Sequence, residues 1–159
     1  MSGGDARDAG RPRLLAVSSA GGHWDQMMLI RGAFEGYDVV YANPIPGLAE
    51  LHGLDGAVRI PDFSLQSPLR ALKGAFSVAW VVLATRPKVA ISTGAAPGVF
   101  ALLFARLCGA KTIWLDSVAN AEKLSLSGRL AGLFVDVWLT QWQHVAASSR
   151  HLRYEGSVL

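Results

Sequence analysis

Apolar residues in this chain fall into short unbroken runs separated by longer stretches with helical spacing. The runs at 14–17, 37–42, 58–60, 88–91, 112–115 and 137–140 read as strands, and 88–91 is apolar enough to be covered on both faces. Between them, 24–34 places Met27, Met28, Ile30 and Phe34 along a helix. Ser67-Pro68 has the form of an N-cap followed by proline at the first helical position, opening a helix that Pro87 ends at about Arg86. A third helix covers 97–107, closed by Gly109 as a left-handed cap, and 127–134 is a short fourth. Residues 153–159 leave no room for a further strand–helix unit. The alternation predicts an α/β protein with a doubly wound, mostly parallel sheet, one domain over 13–159 following a disordered tail over 1–12.

Two turns of small residues follow apolar strands. The first is Ser18-Ser19-Ala20-Gly21-Gly22-His23, and the second is Ser92-Thr93-Gly94-Ala95-Ala96-Pro97-Gly98. A strand, a tight turn and a helix together aim backbone N–H groups at an anion, and in a parallel sheet both turns share the rim where ligands bind. His23 at the tip of the first turn can donate to a phosphate oxygen or act as a base, or it can simply cap a helix. Asp116, after the fifth strand, can take or position a hydroxyl proton, or cap its own loop with Ser117. The Gly94–Gly98 turn either cradles a diphosphate or is a tight connection with Pro97 in the first helical turn.

Composition narrows the classes. The 159 residues carry a net charge of only +3 and no dense Lys/Arg run, which argues against a nucleic-acid partner. A single cysteine, Cys108, excludes an internal disulfide and a multi-cysteine metal site, and its apolar neighbours predict a buried packing thiol. The first turn lacks the G-x-G-x-x-G of dinucleotide enzymes, and Asn43-Pro44 stands where a ribose-binding carboxylate belongs. No G-x-S-x-G elbow is present, and His23 with Asp25 does not make a metal site.

No secretory signal is visible, and the longest apolar stretch, 75–84, is about half of the ~20 residues that span a bilayer. The helix at 67–86 nevertheless carries apolar residues on more than one face, Phe76 and Trp80 among them. Arg70 and Lys73 stand near its start. Such a helix either lies in a bilayer interface facing anionic headgroups or is a core helix with one side exposed.

Taken in order, S-S-A-G-G-H-W-x-x-M, R-P-K-V-A-I-S-T-G-A-A-P-G, the D-S after a strand, and S-L-S-G-R-L-A-G-L-F-V-D-V-W-L-T-Q-W resemble the asparagine-linked glycosylation protein fourteen family. The resemblance is closest to its bacterial PssD-type exopolysaccharide members and runs from about Arg13 to Leu159. It implies a Rossmann-like fold, the N-terminal, acceptor-side half of a MurG-like GT-B glycosyltransferase. The donor half, with the UDP-sugar pocket, would be a separate partner chain. It assigns Gly21, Gly22, Ser92, Thr93, Gly94, Pro97 and Gly98 to the acceptor's diphosphate, with His23 and Asp116 as catalytic residues. Many members carry Glu where this chain has Asp116.

The implied reaction is inverting transfer to a polyprenyl-diphosphate-linked saccharide, with no metal and no cofactor. It would take place at the cytoplasmic face of a membrane, with peripheral attachment resting on Arg70, Lys73, Phe76 and Trp80. Two other readings stay open: a non-catalytic scaffold that recruits and activates a transferase, and a free-standing nucleotide-binding module.

Overall fold

The computed structural model describes residues 10–158. Seven strands alternate with helices: β1 (Arg13–Val17), α1 (Gly22–Ile30), β2 (Asp38–Asn43), β3 (Val58–Arg59), α2 (Pro68–Thr85), β4 (Val89–Ser92), α3 (Ala96–Leu107), β5 (Lys111–Leu115), α4 (Leu126–Ala131), β6 (Val137–Thr140), α5 (Gln143–Ala146) and β7 (Leu152–Tyr154). They form one sheet in the order β3-β2-β1-β4-β5-β6-β7. Every pairing is parallel, so the sheet is Rossmann-like and all strands end on the same rim.

Period-two alternation sends side chains to two separate cores. Leu14 and Ala16 join Trp24, Met27 and Tyr41 beneath α1, while Leu15, Val17, Ala90 and Trp114 pack under α2 and α3 on the other face. The chain steps from β1 outward to β3 on the first face, and α2 then carries it back past β1 to β4. From there it steps the other way on the second face, as right-handed crossovers require. The direction therefore reverses between β1 and β4.

The structure revises several local expectations. A seventh strand adds to the six expected, reached through a crossover, α5, of only 4 residues. Cys108 is exposed, since α3 ends just before it and turns it outward. The Ser67 side chain makes no capping bond; its carbonyl takes the Ala71 N–H at 2.8 Å instead. The helix expected over 24–34 changes to a 3-10 turn from Arg31 to Phe34. Of the tail expected over 1–12, residues 1–9 lie outside the described residues, and the Pro12 carbonyl already accepts the Asp38 N–H at 3.1 Å.

Helix α2 faces the core with its small residues. Ala71, Gly74, Ala75, Val78, Val81 and Val82 are buried, and Gly74 lets the Phe63 ring lie directly on the helix. The larger Leu69, Phe76 and Trp80 are 78%, 71% and 70% exposed. On the rim away from the strand ends, Asp136 accepts from the Thr112 N–H and hydroxyl and pairs with Arg106 at 2.7 Å, tying β6 to β5. The Arg106 contact, helped by the two Thr112 bonds, holds its carboxyl down at about 2.

Candidate functional site

The reversal between β1 and β4 is a topological switch point, and open α/β sheets take ligands in the crevice outside the carboxyl ends of the strands at such a point. The turn after β1 leads into α1 on one face, and the turn after β4 leads into α3 on the other. Two side chains close the gap between them. His23 Nδ1 lies 2.9 Å from the Thr93 carbonyl oxygen, and the Thr93 hydroxyl donates to the His23 carbonyl at 2.6 Å. A carbonyl can only accept, so Nδ1 is the protonated nitrogen and Nε2 carries the lone pair of the neutral ring.

The glycines expected in a phosphate turn have specific work here. Gly94 has φ +146°, and a Cβ on it would overlap the His23 imidazole. Gly98 meets the Ser92 hydroxyl in the same way, so the first turn of α3 lies flat on the end of β4. Ser92 Oγ in turn accepts the Gly94 N–H at 3.2 Å. Neither α1 nor α3 has a side-chain cap. Gly21 caps α1 at φ 67°, and Ala95 caps α3 at φ 43°, a strain of roughly 1–3 kcal/mol for a residue with a Cβ. The first N–H groups of both helices, at Gly22 and His23 and at Ala96 and Gly98, have no hydrogen-bond acceptor among the described residues. Two helix N-termini thus bring uncompensated partial positive charge to one crevice.

Asp116 lies on the same rim but is closed off. It is 1% exposed, and its two oxygens accept from Trp114 Nε1 (3.1 Å), Asn120 Nδ2 (3.2 Å), the Ser125 N–H (3.1 Å) and the Ser125 hydroxyl (2.6 Å). Four donors occupy the carboxylate, which organises the loop from 117 to 125 and leaves no open lone pair for a substrate proton. Arg70, Lys73, Phe76 and Trp80 are not part of this site; they are exposed along α2, on the second face.

Two residues escaped the sequence reading. Gln26, one turn after His23, is 5% exposed and donates to Ser117 Oγ at 3.1 Å. Its carbonyl accepts Gln141 Nε2 at 2.8 Å, and Gln141 also donates to the Asp116 carbonyl and accepts the Val158 N–H. No short motif marks an amide for such a place. The only available signal was a polar residue at i+3 from His23, on the inner side of a helix that also buries Trp24 and Met27.

A family model described as "Oligosaccharide biosynthesis protein Alg14 like" matches residues 40–158. A protein of Eremothecium gossypii named UDP-N-acetylglucosamine transferase subunit ALG14 is 32% identical over 105 residues, 60% of this chain and 47% of that protein. A protein of the same name from Debaryomyces hansenii is 31% identical over 61 residues, 38% of this chain and 26% of that protein. The matched stretch takes in about half of the first relative and less of the second. Among solved structures, MurG of Acinetobacter baumannii superposes with a TM-score of 0.71 at 14% identity, over 93% of this chain and 47% of that one. Staphylococcus aureus MnaA, in a co-structure with UDP, gives 0.71 at 9% identity, over 92% of this chain and 45% of that one. At such identities the likeness is one of fold, and it covers about half of each of those two larger chains.

Proposed function

The chain belongs to the Alg14-like family of oligosaccharide biosynthesis proteins, and on that premise we propose that it is the acceptor-binding, membrane-associating subunit of a two-chain inverting glycosyltransferase. Residues 13–159 form the acceptor half, and a separate chain brings the UDP-sugar. The single observation that carries this reading is the meeting of the β1 and β4 turns at the switch point of the sheet. There, two uncapped helix N-termini flank a histidine whose Nε2 is left as the basic nitrogen. The name of the fungal relatives, a UDP-N-acetylglucosamine transferase subunit, supports both the donor class and the need for a partner.

In this reading the diphosphate of a polyprenyl-linked saccharide sits against the N–H groups of Gly22, His23, Ala96 and Gly98, with Gly21, Ser92, Thr93, Gly94 and Pro97 shaping the turns. His23 Nε2 takes the proton of the acceptor hydroxyl as its oxygen bonds to the anomeric carbon of the donor. The bond from that carbon to the diphosphate of UDP breaks, UDP leaves with the electron pair, and the anomeric configuration inverts. Asp116 takes no proton; it holds the 117–125 loop beside the crevice as a positioning residue.

The second face supports the membrane role. Leu69, Leu72, Phe76, Trp80 and Leu83 project from α2, and Leu126 and Leu130 from α4. No Asp or Glu occurs in α2, α3 or α4, whereas Arg70, Lys73 and Arg129 do, without an ion-pair partner among the described residues. No helix of the described residues is long and apolar enough to cross a membrane. An apolar, cationic layer of this kind suits the anionic surface of a bilayer. The test is reconstitution: the chain co-expressed with its genomic neighbours should yield a complex that transfers sugar from a UDP-sugar to a polyprenyl-diphosphate acceptor. Turnover by the chain alone would overturn the two-chain reading.

A further inference from the structure

We propose that Gln26, anchored by Gln141, is the positioning residue that keeps His23 in its base-competent tautomer. The proposal rests on the reading of His23 as the base. Helix α1 enters through Gly21 and Gly22, the most permissive kind of hinge, and its N-terminus has no side-chain cap. On the crevice side the helix is fastened at two points one turn apart. The first is the paired contact between His23 and Thr93. The second is the Gln26 amide, which meets the ends of β5 and β6 through Ser117 Oγ at 3.1 Å, the Val118 N–H at 3.4 Å and Gln141 Nε2 at 2.8 Å.

One contact fixes a point, and two fix the rotation of the helix about it. A histidine exposed to water is free to carry its proton on either nitrogen, and only the Thr93 carbonyl selects Nδ1 here. Removing the Gln26 fastening lets α1 pivot on the glycine hinge and loosens the Nδ1–H bond. The proton then moves to Nε2, the atom that must accept one from the substrate. Gln141 matters because it is itself buried, 2% exposed, and held from the other side by the Asp116 carbonyl and the Val158 N–H. The clamp is therefore a closed set of satisfied amides, which is rigid where a lone hydrogen bond would not be.

The experiment is nitrogen-15 NMR of the histidine rings in the intact chain, with His23 assigned from His23→Ala. The neutral ring of the wild type should carry its proton on Nδ1, with Nε2 bare. Gln26→Leu and Gln141→Leu should each move His23 toward the Nε2–H form, with the backbone amide spectrum still that of a folded protein. Gln26→Glu should keep the wild-type pattern, because its oxygens can accept from Gln141 Nε2, the Val118 N–H and the Ser117 hydroxyl. An unchanged His23 signature in folded Gln26→Leu overturns the proposal, as does a wild type with Nε2 protonated. If Gln26→Leu does not fold, Gln141→Leu decides by the same criteria. The base assignment fails separately: His23→Ala would then leave turnover of the assembled pair intact whatever the ring spectra show.

Discussion

His23 and Thr93, 70 positions apart, exchange two hydrogen bonds: imidazole Nδ1 to the Thr93 carbonyl at 2.9 Å, and Thr93 hydroxyl to the His23 carbonyl at 2.6 Å. The exchange joins the turns after β1 and β4 across the switch point of the sheet. It also decides which ring nitrogen is free for chemistry.

On the proposed function, His23→Ala should slow sugar transfer by the assembled pair by about 10²-fold or more, the usual range for an acid–base group, with complex formation unchanged. Gly94→Ala should do nearly as much with the histidine still in the sequence, because the added Cβ displaces the imidazole and φ +146° is hostile to any side chain. Steady-state turnover and partner binding, measured on the same preparations, check both. Full turnover in an intact His23→Ala complex would favour the scaffold reading.

Asp116→Asn separates organisation from proton transfer. An amide nitrogen placed among the donors from Trp114, Asn120 and Ser125 leaves at least one of them unmatched, a cost of roughly 1–3 kcal/mol. The expected outcome is a lower melting temperature and a modest loss of turnover that tracks the loss of structure. A fall of 10²-fold with unchanged melting would instead make Asp116 the base.

The sequence made the sheet legible because its strands are contiguous apolar runs and its turns are punctuated by Gly and Pro. Six of the seven strands stand out in this way. The seventh does not, since α5 spans 4 residues and so short a helix leaves no periodic trace. The composition of α2 left two orientations open, an interface helix or a core helix with one side exposed. Phe76 and Trp80 are exposed because the tight approach of Phe63 at Gly74 reserves the inner side for small residues. Both crevice turns were readable from their composition. The Gln26–Gln141 contact was not, because the partners are 115 residues apart and neither amide carries a charge or a motif.

Acid should act through Asp136. Its carboxyl is lowered from 3.8 to about 2, first by Arg106 and then by the two Thr112 bonds, so its stabilising contribution is complete above about pH 4. It declines as pH falls through the folded value near 2. Allowing for partial exposure, the contribution is roughly 1–2 kcal/mol. Asp136→Asn should lower the melting temperature at pH 7 and flatten the loss of stability between pH 4 and 2, as followed by circular dichroism.

Membrane binding should have an electrostatic and an apolar part that mutations can separate. Reversing Arg70 and Lys73 to glutamate should weaken co-sedimentation with anionic vesicles at low salt, since each basic residue near such a surface contributes roughly 1 kcal/mol. High salt should mimic that loss in the wild type. Phe76→Ser with Trp80→Ser should reduce binding at every salt concentration, because it removes the apolar anchor rather than the attraction. Both side chains are mostly exposed, 71% and 70%, so the melting temperature of the chain without vesicles should hardly move. That contrast is the discriminating result. If the serine pair instead destabilises the fold and leaves vesicle binding intact, α2 is buried by some other contact and the bilayer is not its partner.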